Sequence, residues 1–151
     1  MTVDSTLDTL RHSRRVDELL LQLVVSVQQR ITRHDASKLE DPEKAIFDEY
    51  SPKLKTSTYG SDEYKGFLAE MKVALDHHYA NNRHHPEHFE AGVAGMTLVD
   101  LIEMLADWKA ASERQADGDL AVSLGIQKAR FGLSDQLASI LENTARDAGW
   151  I

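Results

Sequence analysis

Apolar residues recur at three- and four-residue steps along most of the chain, the spacing of one helix face turned toward a core. Leu7, Leu10, Val16, Leu19, Leu20, Leu23, Val24, Val27 and Ile31 form the first such stripe and predict one long helix or two abutting ones. Asp41-Pro42 supplies an N-cap and a proline suited to a first helical position, predicting a short helix through Tyr50. Ser51 to Gly60 is irregular, basic and hydroxyl-rich and reads as a loop. Ser61, followed by Asp62 and Glu63, begins the next helix, whose inner side is Tyr64, Phe67, Leu68, Met71, Ala74, Leu75 and His78. Pro86 and two glycines make Asn81 to Gly95 a loop with about one helical turn.

Thr97 and Asp100 have the spacing of a capping box, opening a helix to about Arg114 with Leu98, Leu101, Ile102, Leu105 and Trp108 inward. Asp117-Gly118-Asp119 reads as a turn, and two further helices cover about 119–129 and 134–148, joined at Phe131-Gly132. No segment alternates with the period of a strand. The expected fold is an all-α, single-domain bundle of five to seven helices spanning residues 1–151.

A chain of 151 residues with 42% hydrophobic content can bury a real core. The net charge of −8 argues against a general nucleic-acid binder, although a metal ion and local lysines or arginines can still receive a small anion. There are no cysteines, which fits a reducing compartment. The longest apolar run, Leu19 to Val27, is broken by Gln22 and Ser26 and is too short for a membrane span. No secretory segment opens the sequence, so a cytoplasmic protein is expected.

Histidine changes this picture most. Five of the seven fall in Asp76-His77-His78-Tyr79-Ala80-Asn81-Asn82-Arg83-His84-His85-Pro86-Glu87-His88, and His34-Asp35 contributes another. Neutral imidazole is the commonest protein metal ligand. Bundle metal centres draw inward-facing ligands from several helices. Four elements supply candidates here: His12, then His34-Asp35, then His77-His78, then the helix bearing Asp100, Glu103 and Asp107, which share a face. Oxygen and imidazole donors suit manganese, iron, cobalt, magnesium or zinc; without thiolate, copper(I) and iron–sulfur clusters are disfavoured.

His12, His34-Asp35 and a later helical Asp resemble the H…HD…D signature of the HD-domain superfamily of metal-dependent phosphohydrolases. His34-Asp35-Ala36-Ser37-Lys38 resembles its HD-x-x-K variant. Three stretches resemble more closely an HD-like family of phages and bacteria without an assigned reaction: Thr58 to Lys65, His77 to Phe89, and Asp100 to Lys109. That likeness extends through Arg130-Phe131-Gly132 and Asn143-Thr144.

The resemblance implies an HD-like fold in which His12, His34 and Asp35 are ligands, with Asp100 the fourth and Asp107 the alternate. His77, His78, His84 and His85 lie where relatives hold a second metal, so one or two ions are implied. Lys38 would approach a substrate phosphate, and Glu87 or a histidine would move protons. Lys53, Lys55, Tyr59, Lys65 and Arg83 would line the mouth. The implied activity is metal-dependent hydrolysis of a small phosphorylated molecule, a nucleotide first of all, by metal-activated water. A di-iron oxygenase and a non-enzymatic metal-containing binding protein stay open as alternatives. A phage-encoded copy would work in the host cytoplasm. The apolar face of residues 119–148 would suit a second subunit.

Overall fold

The computed structural model describes residues 4–58, 61–114 and 118–151, and all regular structure among them is helical. No helix among the described residues is long and apolar enough to cross a membrane. The chain divides into two compact units, Met1–His34 and Asp35–Ile151.

The first unit is a single helix, α1 (Thr6–Arg33). Its 28 residues run unbroken, so the apolar stripe belongs to one helix of about 42 Å. Asp8 in its first turn and Arg30 and Arg33 in its last turn match the signs of the helix dipole. His34 ends it, its backbone N–H donating to the Arg30 carbonyl at 2.8 Å.

In the second unit a 3-10 turn (Ala36–Leu39) leads to α2 (Glu43–Thr56), α3 (Asp62–Glu70) and α4 (Lys72–Asn81). Two further 3-10 turns, Pro86–His88 and Gly92–Gly95, precede α5 (Leu98–Ser112), α6 (Leu120–Phe131) and α7 (Asp135–Asp147). The core lies among α5, α6 and α7. Met104, Leu105 and Trp108 pack with Leu120, Leu124, Leu133, Leu141 and Ala145. The Trp108 and Phe131 rings stack with centroids 6.1 Å apart.

Side-chain caps settle the starts of α3, α5, α6 and α7. Ser61 Oγ accepts from the Tyr64 amide, Asp119 Oδ1 from Ala121 and Ser134 Oγ from Leu137. Thr97 and Asp100 form the reciprocal capping box. Gly132, at φ 61, ends α6 in the left-handed conformation that glycine adopts without steric cost. Replacing Ser134 by alanine removes the α7 cap. The expected cost is about 1 kcal/mol by urea denaturation; an unchanged midpoint would show that solvent satisfies the freed amide equally well.

Three expectations need correction. Residues 51–56 continue α2 rather than forming a loop: Thr56 and Ser57 turn their hydroxyls back to the Lys53 and Leu54 carbonyls, closing the helix end. The helix expected from Ser61 onward is two, broken at the buried Met71. On α5 the packed residues are Leu101, Met104, Leu105 and Trp108, while Leu98 and Ile102 are exposed, and Glu103 turns toward His84. Tyr59, Gly60 and Asp117 lie outside the described residues.

Candidate metal centre

Asp35 stands at the start of the second unit with φ 55 and ψ 14, a left-handed conformation that aspartate tolerates better than most residues. It opens the turn carrying Ser37 and Lys38. His77 and His78 lie on α4, and His84 and His85 follow in the turn before Pro86. This brings four groups together: one ligand atom each from Asp35, His78, His84 and His85 lies within 4.8 Å of all the others.

The contacts are specific. His78 Nε2 is 2.9 Å from His85 Nε2 and 3.3 Å from Asp35 Oδ1, and His84 Nε2 is 3.5 Å from the same oxygen. Ligand bonds near 2.1 Å place neighbouring donors about 3.0 Å apart in an octahedron and about 3.4 Å in a tetrahedron. These three separations lie at or near that range, and the other donor pairs lie within 4.8 Å. His78 and His84 are almost fully buried, at 2% and 1% exposure.

Behind the ring of donors stand carboxylates. Glu43, the first residue of α2 and fully buried, accepts from His77 Nδ1 through Oε1 at 2.7 Å and from His78 Nδ1 through Oε2 at 2.8 Å. Glu103 on α5 places Oε1 3.2 Å from His84 Nδ1. A proton on Nδ1 leaves the lone pair on Nε2, the atom that faces Asp35. This is the carboxylate–histidine arrangement that orients imidazoles toward metals. Asn82 Nδ2 donates to Ser37 Oγ and to the His78 carbonyl; it also lies 3.0 Å from His78 Nδ1, but the ionised Glu43, nearer at 2.8 Å, is the stronger partner for a proton there.

The surroundings of His78 and His85 favour their neutral form. Burial pushes His85 down to about 3, helped by the neighbouring His84 and His78. Burial, then the Lys38 cation, also lowers His78. Burial alone would raise Glu43, but hydrogen bonds from His77, Ser37 and His78 outweigh it and hold the carboxylate below its ordinary value. Neutral imidazoles beside ionised carboxylates are what a divalent cation requires. The set fits manganese, iron, cobalt or zinc better than magnesium, which prefers oxygen.

A family model described as a family of unknown function, DUF5662, matches residues 1–147. The chain belongs to the DUF5662 family. No curated protein and no solved structure matches it.

Within this DUF5662 chain the expected ligands are redistributed. Asp35 joins His78, His84 and His85 in one group, although the sequence assigns it to one ion and the histidines to a second. His77 is turned to Glu43, with its side chain 40% exposed. His12, on α1, and His34, at its end, belong to the first unit, whereas the group described here is built wholly from the second. Asp100 is not among the four converging groups: its oxygens accept from Arg83 Nε and Nη2 at 3.1 and 3.0 Å and from Thr97. Asp107 is the α5 acid whose charge reaches His85.

Lys38 does border the centre, with Nζ 2.6 Å from Asp35 Oδ2. The expected proton carrier Glu87 is instead paired with Arg130 at 2.8 Å. Of the residues expected to line a mouth, Arg83 is committed to Asp100, and Lys53 pairs with Glu49 and lies over the Tyr50 ring. Lys65 pairs with Asp62 within α3, and Lys55 is exposed near the end of α2. Sequence reasoning missed Glu43, Ser37 and Asn82. An acid in the first turn of a helix satisfies the dipole wherever it occurs, so Glu43 carries no distinguishing signal.

Proposed function

We propose that this protein is a metal-dependent phosphohydrolase acting on a small phosphorylated molecule, a nucleotide first of all. The observation that carries this reading is the convergence of Asp35 Oδ1 with His78, His84 and His85 under the carboxylates of Glu43 and Glu103. A divalent ion bound there would lower the pKa of a water and neutralise charge on phosphoryl oxygens. Four protein donors fill a tetrahedron but leave positions open in five- or six-coordinate geometry.

The chain's own groups divide the remaining work. Asp35 uses its two oxygens differently, Oδ1 toward the imidazoles and Oδ2 toward Lys38. Lys38 thereby sits as a fixed cation at the rim, suited to a phosphate oxygen in a chain of net charge −8. The buried His78 and His84 rings exclude water from one side of the centre.

The test is a hydrolysis screen over nucleoside mono-, di- and triphosphates and generic phosphoesters, with manganese, cobalt, magnesium, zinc or iron. Release of phosphate that depends on added metal supports the reading and names the substrate. Folded protein that binds metal but turns over none of these overturns it. Because the donor set also suits iron, oxygen-dependent turnover with iron(II) would favour an oxygenase.

A further inference from the structure

We propose that Glu43 is the positioning residue of this centre: one buried carboxylate sets the orientation of His78 toward the metal and is itself braced by His77. The inference rests on the metal reading above. A glutamate opening a helix ordinarily points into water, and full burial of a carboxylate is tolerated only where its oxygens are paired. Glu43 is 0% exposed and divides its oxygens between adjacent histidines, Oε1 to His77 and Oε2 to His78.

The two imidazoles do different jobs. Successive residues on a helix point about 100° apart, so only one of the pair can enter the centre. His78 does so, with Nε2 toward Asp35 and His85 and its ring edge-to-face against Phe47 at 6.1 Å. His77 stays at the surface, 40% exposed, and fixes the carboxylate from the other side. Ser37 and Asn82 complete the enclosure through the 2.7 Å hydrogen bond between them. Rotation of the His78 ring would exchange its nitrogens and break the bond to Glu43.

Glutamine at 43 keeps the shape but offers one acceptor and one donor where glutamate offers two acceptors. Either His77 or His78 then faces an amide N–H. If His78 does, its proton moves to Nε2 and the lone pair leaves the centre; if His77 does, His78 keeps only a neutral acceptor, weaker than the carboxylate.

The experiment is titration of wild type, Glu43→Gln and His77→Ala with cobalt(II), read by calorimetry and by the visible absorption of the bound ion. It is paired with nitrogen-15 NMR of the metal-free wild-type imidazoles. Glu43→Gln should bind cobalt about 10–100-fold more weakly with an altered spectrum, the effect expected when the carboxylate behind a ligand is lost. His77→Ala should stay within about threefold of wild type, below that range. The NMR should show His78 protonated at Nδ1.

A Glu43→Gln protein that matches wild type in affinity and spectrum overturns the role of Glu43 alone. So does His78 protonated at Nε2 in the wild type, a result that decides the matter even if the variant fails to fold. Wild-type protein that binds no cobalt overturns the metal reading itself.

Discussion

Asp35→Asn is expected to weaken divalent-metal binding by at least about 100-fold, the upper end of the loss seen when only an outer carboxylate is removed. Metal-dependent phosphate release should fall with it. Asp35 is the sole carboxylate among the four converging groups and supplies their negative charge. His78 and His84 both approach its Oδ1, at 3.3 and 3.5 Å. The amide removes that charge and leaves the Lys38 ammonium facing a neutral group where Oδ2 now lies 2.6 Å away. A dication arriving beside Lys38 would then meet repulsion as well as a poorer ligand. Asparagine tolerates the left-handed backbone at 35, so the fold should survive. Calorimetric titration with manganese or cobalt, beside a thermal melt of the metal-free proteins, checks both statements. Wild-type affinity in the variant would remove Asp35 from the ligand set.

Asp100→Ala should destabilise the protein by about 3 kcal/mol, combining a lost N-terminal cap near 1 kcal/mol with about 2 kcal/mol for the charge-assisted bonds to Arg83. The carboxylate is fully buried, closes the capping box of α5 and receives Arg83 through two nitrogens. The Arg83 side chain is 41% exposed, so its charge can turn to water once the partner is gone, which limits the penalty.

Acid supplies a second test through Asp100→Asn. Burial would raise the Asp100 pKa, but Arg83 and Thr97 outweigh it and the folded value lies below the ordinary one. The unfolded chain therefore takes up a proton first as pH falls, near 3.9. The stabilisation is whole above about pH 5 and is lost as pH drops through the folded value. The stability gap between wild type and Asp100→Asn should be flat from neutral pH to about 5 and should narrow below about 4. Urea denaturation across that range decides it; a gap that widens in acid would contradict the assignment.

What the sequence could say about the fold was local. The caps at Ser61 and Thr97 are written within a few residues and form as read, whereas the cap expected from Asp41 does not form, Pro42 standing at the start of α2 without a side-chain cap. The end of α2 was not legible, because hydroxyls and a proline that mark loops also close helices: Thr56 and Ser57 do so here, and Pro52 lies inside the helix. Legibility of the centre failed for different reasons. His77 and His78 are neighbours of identical chemistry, and helix register, invisible without the packing partner, decides which turns inward. Asp100 and Asp107 are two turns apart and share an angle, but about 10 Å of axial distance separates them. Only placement of the histidine segment shows that Arg83 meets the first while the charge of the second reaches His85. The convergence of Asp35 with the histidines of residues 78–85 is likewise a tertiary fact.

Among the described residues Asp35 is the one non-glycine with positive φ. Asparagine and glycine occupy that corner as readily as aspartate, but neither carries the charge. A lineage released from the need for a metal would therefore find two substitutions that silence the centre at little cost to the fold. Under the proposed metal role, position 35 becomes a diagnostic letter: aspartate would mark chains able to hold the ion there, and asparagine or glycine would mark chains that keep the backbone without the charge.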